Sequence, residues 1–186
     1  MRLQSEDLIG HYQKLGVSLG SKIAVGVSGG ADSLCLMLMT AEYFDVTAIS
    51  VDHGLRSEAA DEVEFVARLC HEKNIPHVAL RWEGNRPTSN IQATARTVRY
   101  DLMRDWCAEN NIAYLAVAHH QDDQAETLLL RLARGSGVYG LAAMPGVRGV
   151  GRGVSIVRPL LSVPKEVLTS TLRSLKQEWI EDPSNQ

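Results

Sequence analysis

Short apolar segments alternate with longer amphipathic segments along most of this chain. Apolar runs occupy residues 23–27, 46–51, 77–82 and 114–118, and each has the length and composition of a buried strand. Helical periodicity fills the intervening residues 31–43, 57–74 and 91–106, and further helices are predicted at residues 5–15 and 162–175. Parallel neighbours in a sheet require crossover connections of this kind. The pattern therefore predicts an α/β fold with a mainly parallel sheet and helices on both of its faces.

Size and composition limit the class of protein. A length of 186 residues suits one domain, so residues 1–186 are expected to fold as a single unit. The apolar fraction is 45%, the N-terminus lacks a signal-peptide pattern, and no apolar run approaches the ~20 residues of a membrane span. We therefore expect a soluble, cytoplasmic protein. Cys35, Cys70 and Cys107 are too far apart for a CxxC pair, and each lies in a predicted helix, which favours buried thiols.

A glycine turn follows the first predicted strand and precedes a helix. In this turn, SGGADS at residues 28–33, two glycines allow positive φ angles and the helix start offers unpaired N–H groups. Such a backbone arrangement binds anions, and the hydroxyls of Ser28 and Ser33 add donors for phosphate oxygens. Asp32 is a candidate Mg²⁺ ligand, since Mg²⁺ prefers carboxylate and phosphate oxygens together. The turn is neither a Walker A nor a GxGxxG sequence, and a plain strand-to-helix turn is the alternative reading.

Two further polar segments follow predicted strands, VDHGLR at residues 51–56 and HHQDDQAET at residues 119–127. Ligands of parallel sheets bind at the carboxyl ends of strands, so these segments and the glycine turn are expected to meet in one crevice. Asp122 or Asp123 is expected to cap the following helix, with Glu126 one turn further along the same side. Zinc binding by the two histidines is disfavoured because adjacent side chains at a strand end point in different directions.

The motifs together resemble a known family. SGGADS looks like the signature of the PP-loop ATP pyrophosphatases, which have an adenine nucleotide alpha hydrolase-like fold and cleave ATP between its α and β phosphates. Five further segments resemble those of tRNA(Ile)-lysidine synthetases: VDHGLR, ARTVRY at 95–100, AHHQDDQAETLLLRLARGSG at 118–137, RPLL at 158–161 and WIEDPSN at 179–185. The resemblance extends from Lys22 almost to the end of the sequence, and the combination is more specific than any one motif.

This resemblance implies a ligase that needs ATP and Mg²⁺. ATP would adenylate the C2 oxygen of the wobble cytidine in tRNA(Ile) with a CAU anticodon, releasing pyrophosphate. The ε-amine of free L-lysine would then displace AMP. Synthetases of this family usually continue past the EDPSN segment into C-terminal tRNA-binding parts, which this sequence does not contain. The oligomeric state stays open, with a homodimer as one possibility.

The resemblance also assigns roles to residues of this sequence. ATP would be bound by Ser28, Gly29, Gly30, Ala31, Asp32, Ser33, Val51, His53 and Gly135. Asp32, Asp122, Asp123 and Glu126 would act in catalysis, with Asp32 and Asp123 as metal ligands and the acidic cluster receiving the lysine ammonium. Arg96, Arg99, Arg134 and Arg158 would contact nucleotide or tRNA phosphates, since guanidinium groups suit phosphate geometry.

Several of these residues also have a purely structural interpretation. Arg96 and Arg99 also fit a solvated helix face, Arg158 an edge strand, and Arg134 with Gly135 a helix C-cap. The acidic cluster also fits simple capping and helix-dipole compensation. At the level of function, the alternatives are a PP-loop tRNA thiolase, which the cysteine spacing disfavours, and a non-catalytic adenine-nucleotide-binding module.

Overall fold

The computed structural model describes residues 2–52, 58–82, 90–135 and 143–181. The helices are α1 (Ser5–Lys14), α2 (Ala31–Ala41), α3 (Glu58–Glu72), α4 (Ile91–Glu109), α5 (Gln121–Ala133) and α6 (Lys165–Ser174). The strands are β1 (Lys22–Gly26), β2 (Asp45–Asp52), β3 (His77–Arg81), β4 (Tyr114–Ala116), β5 (Val147–Gly151) and β6 (Val154–Val157). None of the described helices combines the length and the apolar character needed to cross a membrane.

The strands form one six-stranded sheet in the order β3-β2-β1-β4-β6-β5. All neighbours are parallel except β5 and β6, which are antiparallel. The α/β fold with a mainly parallel sheet is therefore confirmed. The chain moves outward from β1 through β2 to β3 and then returns to place β4 on the other side of β1. This reversal opens a crevice between the carboxyl ends of β1 and β4, which is where ligands of such sheets bind.

The two faces of the sheet carry separate apolar cores because successive strand residues point to opposite sides. Ile23 and Val25 of β1 lie on one face and pack in a cluster with helices α1, α2 and α6. Ala24 lies on the other face, in a cluster that includes Met103 and Cys107 of α4. Helices thus cover both faces, and β1 is buried from either side, as its uninterrupted apolar run predicts.

The three cysteines are buried, free and helical, as predicted, with one each in α2, α3 and α4. Burial raises the pKa of all three thiols, to about 12 for Cys35, about 11 for Cys70 and about 12 for Cys107. At neutral pH they are therefore protonated and unreactive.

The glycine-rich segment at residues 134–153, where a tight loop, a short helix and an edge strand are predicted, contains that edge strand as β5. Within its described part it forms a hairpin, with β5 at the sheet edge and β6 between β5 and β4. The connection uses positive φ angles at Gly151, Arg152 and Gly153, the backbone geometry that tight hairpins require. β6 was not foreseen, because its four residues form too short an apolar run to separate from the glycines around it.

Candidate active site

A cavity of about 460 Å³ lies in the crevice between β1 and β4. The turn after β1 contributes Ser28, Gly30, Asp32 and Ser33, and the end of β2 contributes Ile49, Ser50 and Val51. The segment after β4 adds Val117, Ala118, His119, His120 and Asp123, and α4 adds Arg99, Tyr100 and Met103. SGGADS and HHQDDQAET thus meet in one cavity with Val51, the first residue of VDHGLR, whose residues 53–56 lie outside the described part of the chain.

The backbone of the glycine turn is shaped to receive an anion. Gly29 has a φ of 87°, and Gly30 precedes α2 without any side-chain cap. The Ser33 hydroxyl donates to the Gly30 carbonyl at 3.0 Å and accepts from the Ser28 amide at 3.2 Å, which closes the turn on itself. Within the described ranges, the amides of Gly30, Ala31 and Asp32 have no acceptor. These N–H groups are the usual requirement for phosphate binding at a helix N-terminus.

Asp32 and Asp123 approach each other around the ring of His120. The Nε2 atom of His120 lies 3.4 Å from an Asp32 carboxylate oxygen and 3.5 Å from an Asp123 carboxylate oxygen. Burial of the ring lowers the pKa of His120, but the hydrogen bond to Asp32 and the charges of Asp123, Asp32 and Asp122 outweigh it and raise the pKa overall. The cavity therefore has an acidic wall.

His120, and neither of the two aspartates, is the N-cap of α5. Its Nδ1 accepts from the Asp122 amide at 3.3 Å, while its own amide donates to the Asp123 carboxylate at 2.8 Å. The expectation that Asp122 or Asp123 occupies the cap position is therefore wrong, although Asp123 takes part in the cap as the reciprocal acceptor. This contact turns the Asp123 side chain back toward the cavity.

The donor set at the acidic wall fits Mg²⁺. One carboxylate oxygen of Asp32 is buried and has no hydrogen-bond partner in the described part of the chain, which is costly unless a cation binds there. The described residues hold no group of three or more His, Cys, Asp or Glu side chains suited to a metal ion. A site of one or two carboxylates suits Mg²⁺, which completes its coordination with water and substrate phosphates. Asp32 and Asp123 are the residues that would hold it.

A basic wall is formed by Arg99, which lines the cavity, together with Arg96 and Arg158, which do not line it but contact the ring of the cavity residue His119. Arg158 is only 7% exposed, and its guanidinium donates to the Pro145 carbonyl at 2.9 Å and to His119 Nδ1 at 3.2 Å. Arg96 contacts the other ring nitrogen of His119 at 2.9 Å, and both Arg96 and Arg99 lie over the Tyr100 ring. Among the described residues, no carboxylate forms an ion pair with any of these three arginines.

The arginines of the basic wall have too few hydrogen-bond acceptors, so the wall is suited to bind an anion. Burial lowers the pKa of Arg99 and of Arg158, although arginine stays charged at neutral pH. Burial, followed by the charges of Arg96 and Arg158, lowers the pKa of His119 to about 4. A neutral imidazole has one free lone pair, so it can accept from only one of the two guanidinium groups that touch it. A bound phosphate would supply the missing acceptors.

The remaining predicted site residues lie elsewhere. Asp122 and Glu126 line a separate open apolar groove along α5, with Leu129 and Leu130, and the Asp122 side chain is 59% exposed. Consecutive helical residues point about 100° apart, so Asp122 and Asp123 face different surroundings. Arg134 and Gly135 form the C-cap of α5, with a φ of 68° at Gly135, and neither lines the cavity. His53, Ser136 and Gly137 lie outside the described residues.

Sequence reasoning missed the parts that His119, Tyr100 and Ser50 have in the site. The buried Ser50 hydroxyl donates to the Val27 carbonyl at 3.0 Å, and His77 Nε2 lies 3.1 Å from the Ser50 oxygen. This pair fixes the end of β1 just before the glycine turn. A serine within an apolar strand does not indicate such a role. The adjacent histidines at the end of a strand, in contrast, indicated that their side chains point in different directions.

Comparison with known proteins agrees with this geometry. A family model described as a PP-loop domain matches residues 4–186, almost the whole chain. The chain belongs to the PP-loop domain family. This PP-loop domain is 42% identical to tRNA(Ile)-lysidine synthase of Ruegeria pomeroyi over 192 aligned positions, which cover 100% of the chain and 46% of that relative. It is 44% identical to the Zymomonas mobilis enzyme of the same name, covering 90% of the chain and 52% of the relative.

The chain therefore spans about half the length of the curated relatives it matches. Among solved structures, the U34-tRNA thiolase NcsA from Methanococcus maripaludis superposes with a TM-score of 0.83 at 21% identity, covering 96% of this PP-loop domain and 65% of that chain. An NH3-dependent NAD synthetase from Campylobacter jejuni superposes with a TM-score of 0.59 at 19% identity, covering 94% and 72%. At these identities the structural likeness supports the fold alone.

Proposed function

We propose that this PP-loop domain is the catalytic part of a cytoplasmic tRNA(Ile)-lysidine synthase. The reaction would couple ATP, free L-lysine and the wobble cytidine of tRNA(Ile) with a CAU anticodon. The relatives that carry this name support the choice of reaction. The observation that carries it is the cavity itself, where Asp32, with its unpartnered carboxylate oxygen, and turn amides that have no acceptor among the described residues lie together with Arg99 and His119.

The glycine turn is proposed to bind the phosphates of ATP. The free amides of Gly30, Ala31 and Asp32, with the Ser28 hydroxyl, offer donors to the pyrophosphate that leaves. The Ser33 hydroxyl, which donates to the Gly30 carbonyl, keeps the turn closed. The adenine is proposed to lie against the end of β2, where Val51 offers backbone groups and Ile49 an apolar side chain. This placement directs the α-phosphate toward the centre of the cavity.

Asp32 and Asp123 are proposed to hold Mg²⁺ with the phosphates. The bound ion would neutralise charge that develops on the departing pyrophosphate. The unpartnered Asp32 oxygen supports this assignment. His120, whose ring contacts both carboxylates, keeps the two side chains together and joins them to the start of α5.

Arg96, Arg99 and Arg158 are proposed to bind phosphate at the basic wall, from the nucleotide or from the tRNA backbone. Their lack of carboxylate partners in the described part of the chain supports this role. Arg134, at the exposed end of α5, would contact tRNA outside the cavity. The net charge of −3 does not oppose RNA binding, because Arg96, Arg99 and Arg158 form a local basic group around His119 and Tyr100.

The lysine ammonium is proposed to meet carboxylates at the start of α5. Asp123 lines the cavity and would accept a proton from the ε-amine, which must attack in its neutral form. Asp122 and Glu126 line the neighbouring groove and would attract the ammonium group before it enters.

ATP–pyrophosphate exchange tests the proposal. The chain is incubated with radiolabelled pyrophosphate, ATP and tRNA(Ile) transcript, with and without L-lysine. Exchange that requires the transcript, and AMP release that requires lysine, are the expected results. Asp123→Asn should abolish both, whereas Asp45→Asn, at the exposed start of β2, should not.

Other results point to the alternatives. Binding of ATP without exchange would indicate a nucleotide-binding module. AMP release that depends on a sulfur donor and not on lysine would indicate a thiolase. Either result would overturn the assignment to lysidine synthesis.

A further inference from the structure

The segment that follows α6 crosses the glycine turn. The Trp179 ring packs against the core cluster that contains α2 and α6, and the Arg173 guanidinium lies 5.9 Å from its centroid. The next residue, Ile180, donates its backbone N–H to the Gly29 carbonyl at 3.0 Å. The two residues are joined although they are 151 positions apart in the sequence, from 29 to 180. The hydrogen bond therefore ties the WIEDPSN motif to the phosphate-binding turn.

This bond sets the direction of one peptide plane. In a planar trans peptide, the carbonyl of one residue and the N–H of the next point in opposite directions. Because Ile180 holds the Gly29 carbonyl on its own side, the Gly30 N–H is directed to the other side. Gly30 lines the cavity, and its amide has no acceptor in the described part of the chain. The contact outside the cavity thus orients a donor inside it.

Glycines cannot fix this orientation by themselves. Gly29 has a φ of 87°, and glycine occupies positive and negative φ about equally well. A flipped Gly29–Gly30 peptide would point its carbonyl oxygen into the cavity, where it would repel phosphate. An external contact is needed to select one orientation, and the described residues provide one through Ile180.

The Ile180 side chain adds a steric contact to the hydrogen bond. A Cβ atom placed on Gly29 would lie 2.7 Å from Ile180 Cδ1 and 3.6 Å from Val66 Cγ2. The Cα of Gly29 therefore lies in a narrow apolar niche between Ile180 and Val66 of α3. The niche restricts movement of the turn on the side away from the cavity.

We propose that Ile180 is a positioning residue that holds the Gly29–Gly30 peptide in its phosphate-binding orientation. The proposal rests on the proposed role of this turn in binding ATP. Ile180 touches no substrate and acts through the Gly29 carbonyl. The motif in which it lies thereby acquires a function in the catalytic site, although it is separated from SGGADS by most of the chain.

Two substitutions separate the hydrogen bond from the packing. Ile180→Pro removes the N–H donor, whereas Ile180→Ala keeps the donor and removes the side-chain contact. Ile180→Val keeps the N–H donor and a branched side chain but loses Cδ1, so it should behave nearly as the wild type. Leu175→Ala, in the same segment and 44% exposed, is the matched control. Circular dichroism and thermal unfolding of the full chain establish that each variant is folded.

The first measurement needs no nucleotide. Nitrogen-15 relaxation dispersion of the ligand-free protein reports microsecond-to-millisecond exchange at the Gly29 and Gly30 amides. We expect no exchange in the wild type, Ile180→Val and Leu175→Ala, and exchange or a second set of signals in Ile180→Pro. Identical Gly30 signals in Ile180→Pro and the wild type would overturn the proposal, whether or not the turn binds ATP.

The second measurement uses ATP. Loss of one net hydrogen bond should weaken ATP binding about 3- to 10-fold in Ile180→Pro, and less in Ile180→Ala. Saturating ATP selects the competent turn, so KM should rise while kcat stays unchanged. A fall in kcat at unchanged KM would show a merely structural role. Failure of the wild type to modify tRNA would contradict the proposed function and leave the dispersion result standing.

Discussion

The two glycines of the phosphate-binding turn should respond oppositely to alanine. Gly29 has a φ of 87°, and a Cβ added to it would lie 2.7 Å from Ile180 Cδ1. Gly30 has a φ of −73° and a ψ of 159°, and a Cβ added there would meet only the Ser28 hydroxyl, at 3.7 Å. Gly29→Ala therefore strains the backbone and the packing, whereas Gly30→Ala strains neither.

The magnitude follows from these two contributions. A left-handed conformation costs an L-residue about 1–2 kcal/mol, and displacing the flexible end of Ile180 adds up to about 1 kcal/mol. Alanine also lowers the entropy of the unfolded chain, by about 0.4–1 kcal/mol, but this gain is common to both variants and cancels between them. Gly29→Ala should therefore be about 1–3 kcal/mol less stable than Gly30→Ala.

Thermal and urea unfolding of the two variants provide the assay. For a protein of this size, each kcal/mol shifts Tm by about 2–4 °C, so the two midpoints should differ by about 2–12 °C. Combining Gly29→Ala with Ile180→Ala should recover the packing part of the loss and leave the backbone part. Equal midpoints for the two single variants would refute the reasoning, because they would show that neither the positive φ nor the niche constrains the turn.

Three further substitutions test the two walls of the cavity. Asp32→Asn should raise the Mg²⁺ concentration needed for ATP turnover at least about 10-fold, since the site loses a charged ligand. The same Mg²⁺ dependence in this variant and in the wild type would exclude Asp32 as a ligand. Arg158→Met should weaken binding of tRNA or nucleotide while leaving Tm within a few degrees, because a buried charge without a carboxylate partner adds little stability. Unchanged binding of both ligands would contradict the proposed role of Arg158. The His119 pKa lies at about 4, below the ordinary 6.5, so the unfolded state binds the proton first as the pH falls. The free energy of unfolding should therefore decrease as the pH drops from about 6.5 to about 4. His119→Asn should flatten that pH dependence in urea unfolding, and an unaltered slope would show that another group causes it.

The sequence was sufficient to predict strands β1 to β4 and the place of the crevice, although not β6. Apolar runs such as residues 23–27 and 114–118 specified buried strands, and their alternation with helical segments left few topologies open. The convergence of SGGADS and HHQDDQAET followed from the same alternation, because the carboxyl ends of parallel strands lie at one edge. These inferences depend on local pattern and on chain connectivity, which a sequence contains directly.

The orientation of the acidic cluster could not be derived in this way. Aspartate is the better N-cap by propensity, so the sequence placed the cap at Asp122 or Asp123. The structure starts α5 earlier, at Gln121, because the His120 ring is held by Asp32 in the first turn of α2. A shift of one or two residues rotates a helix by 100° or more. Tertiary contact therefore decided which aspartate faces the cavity.

The adjacent histidines explain how one short segment serves both walls of the cavity. Extended backbone turns successive side chains to opposite sides, so His120 lies among carboxylates while His119 lies among guanidinium groups. The same residue type is thereby driven in opposite directions, with the pKa raised at His120 and lowered to about 4 at His119. The two histidines therefore lie where the acidic wall, which suits a cation, meets the basic wall, which suits an anion. A ligand that carries a divalent cation on one side and bare phosphate oxygens on the other satisfies both walls at once, and a nucleoside triphosphate with its Mg²⁺ has that distribution of charge.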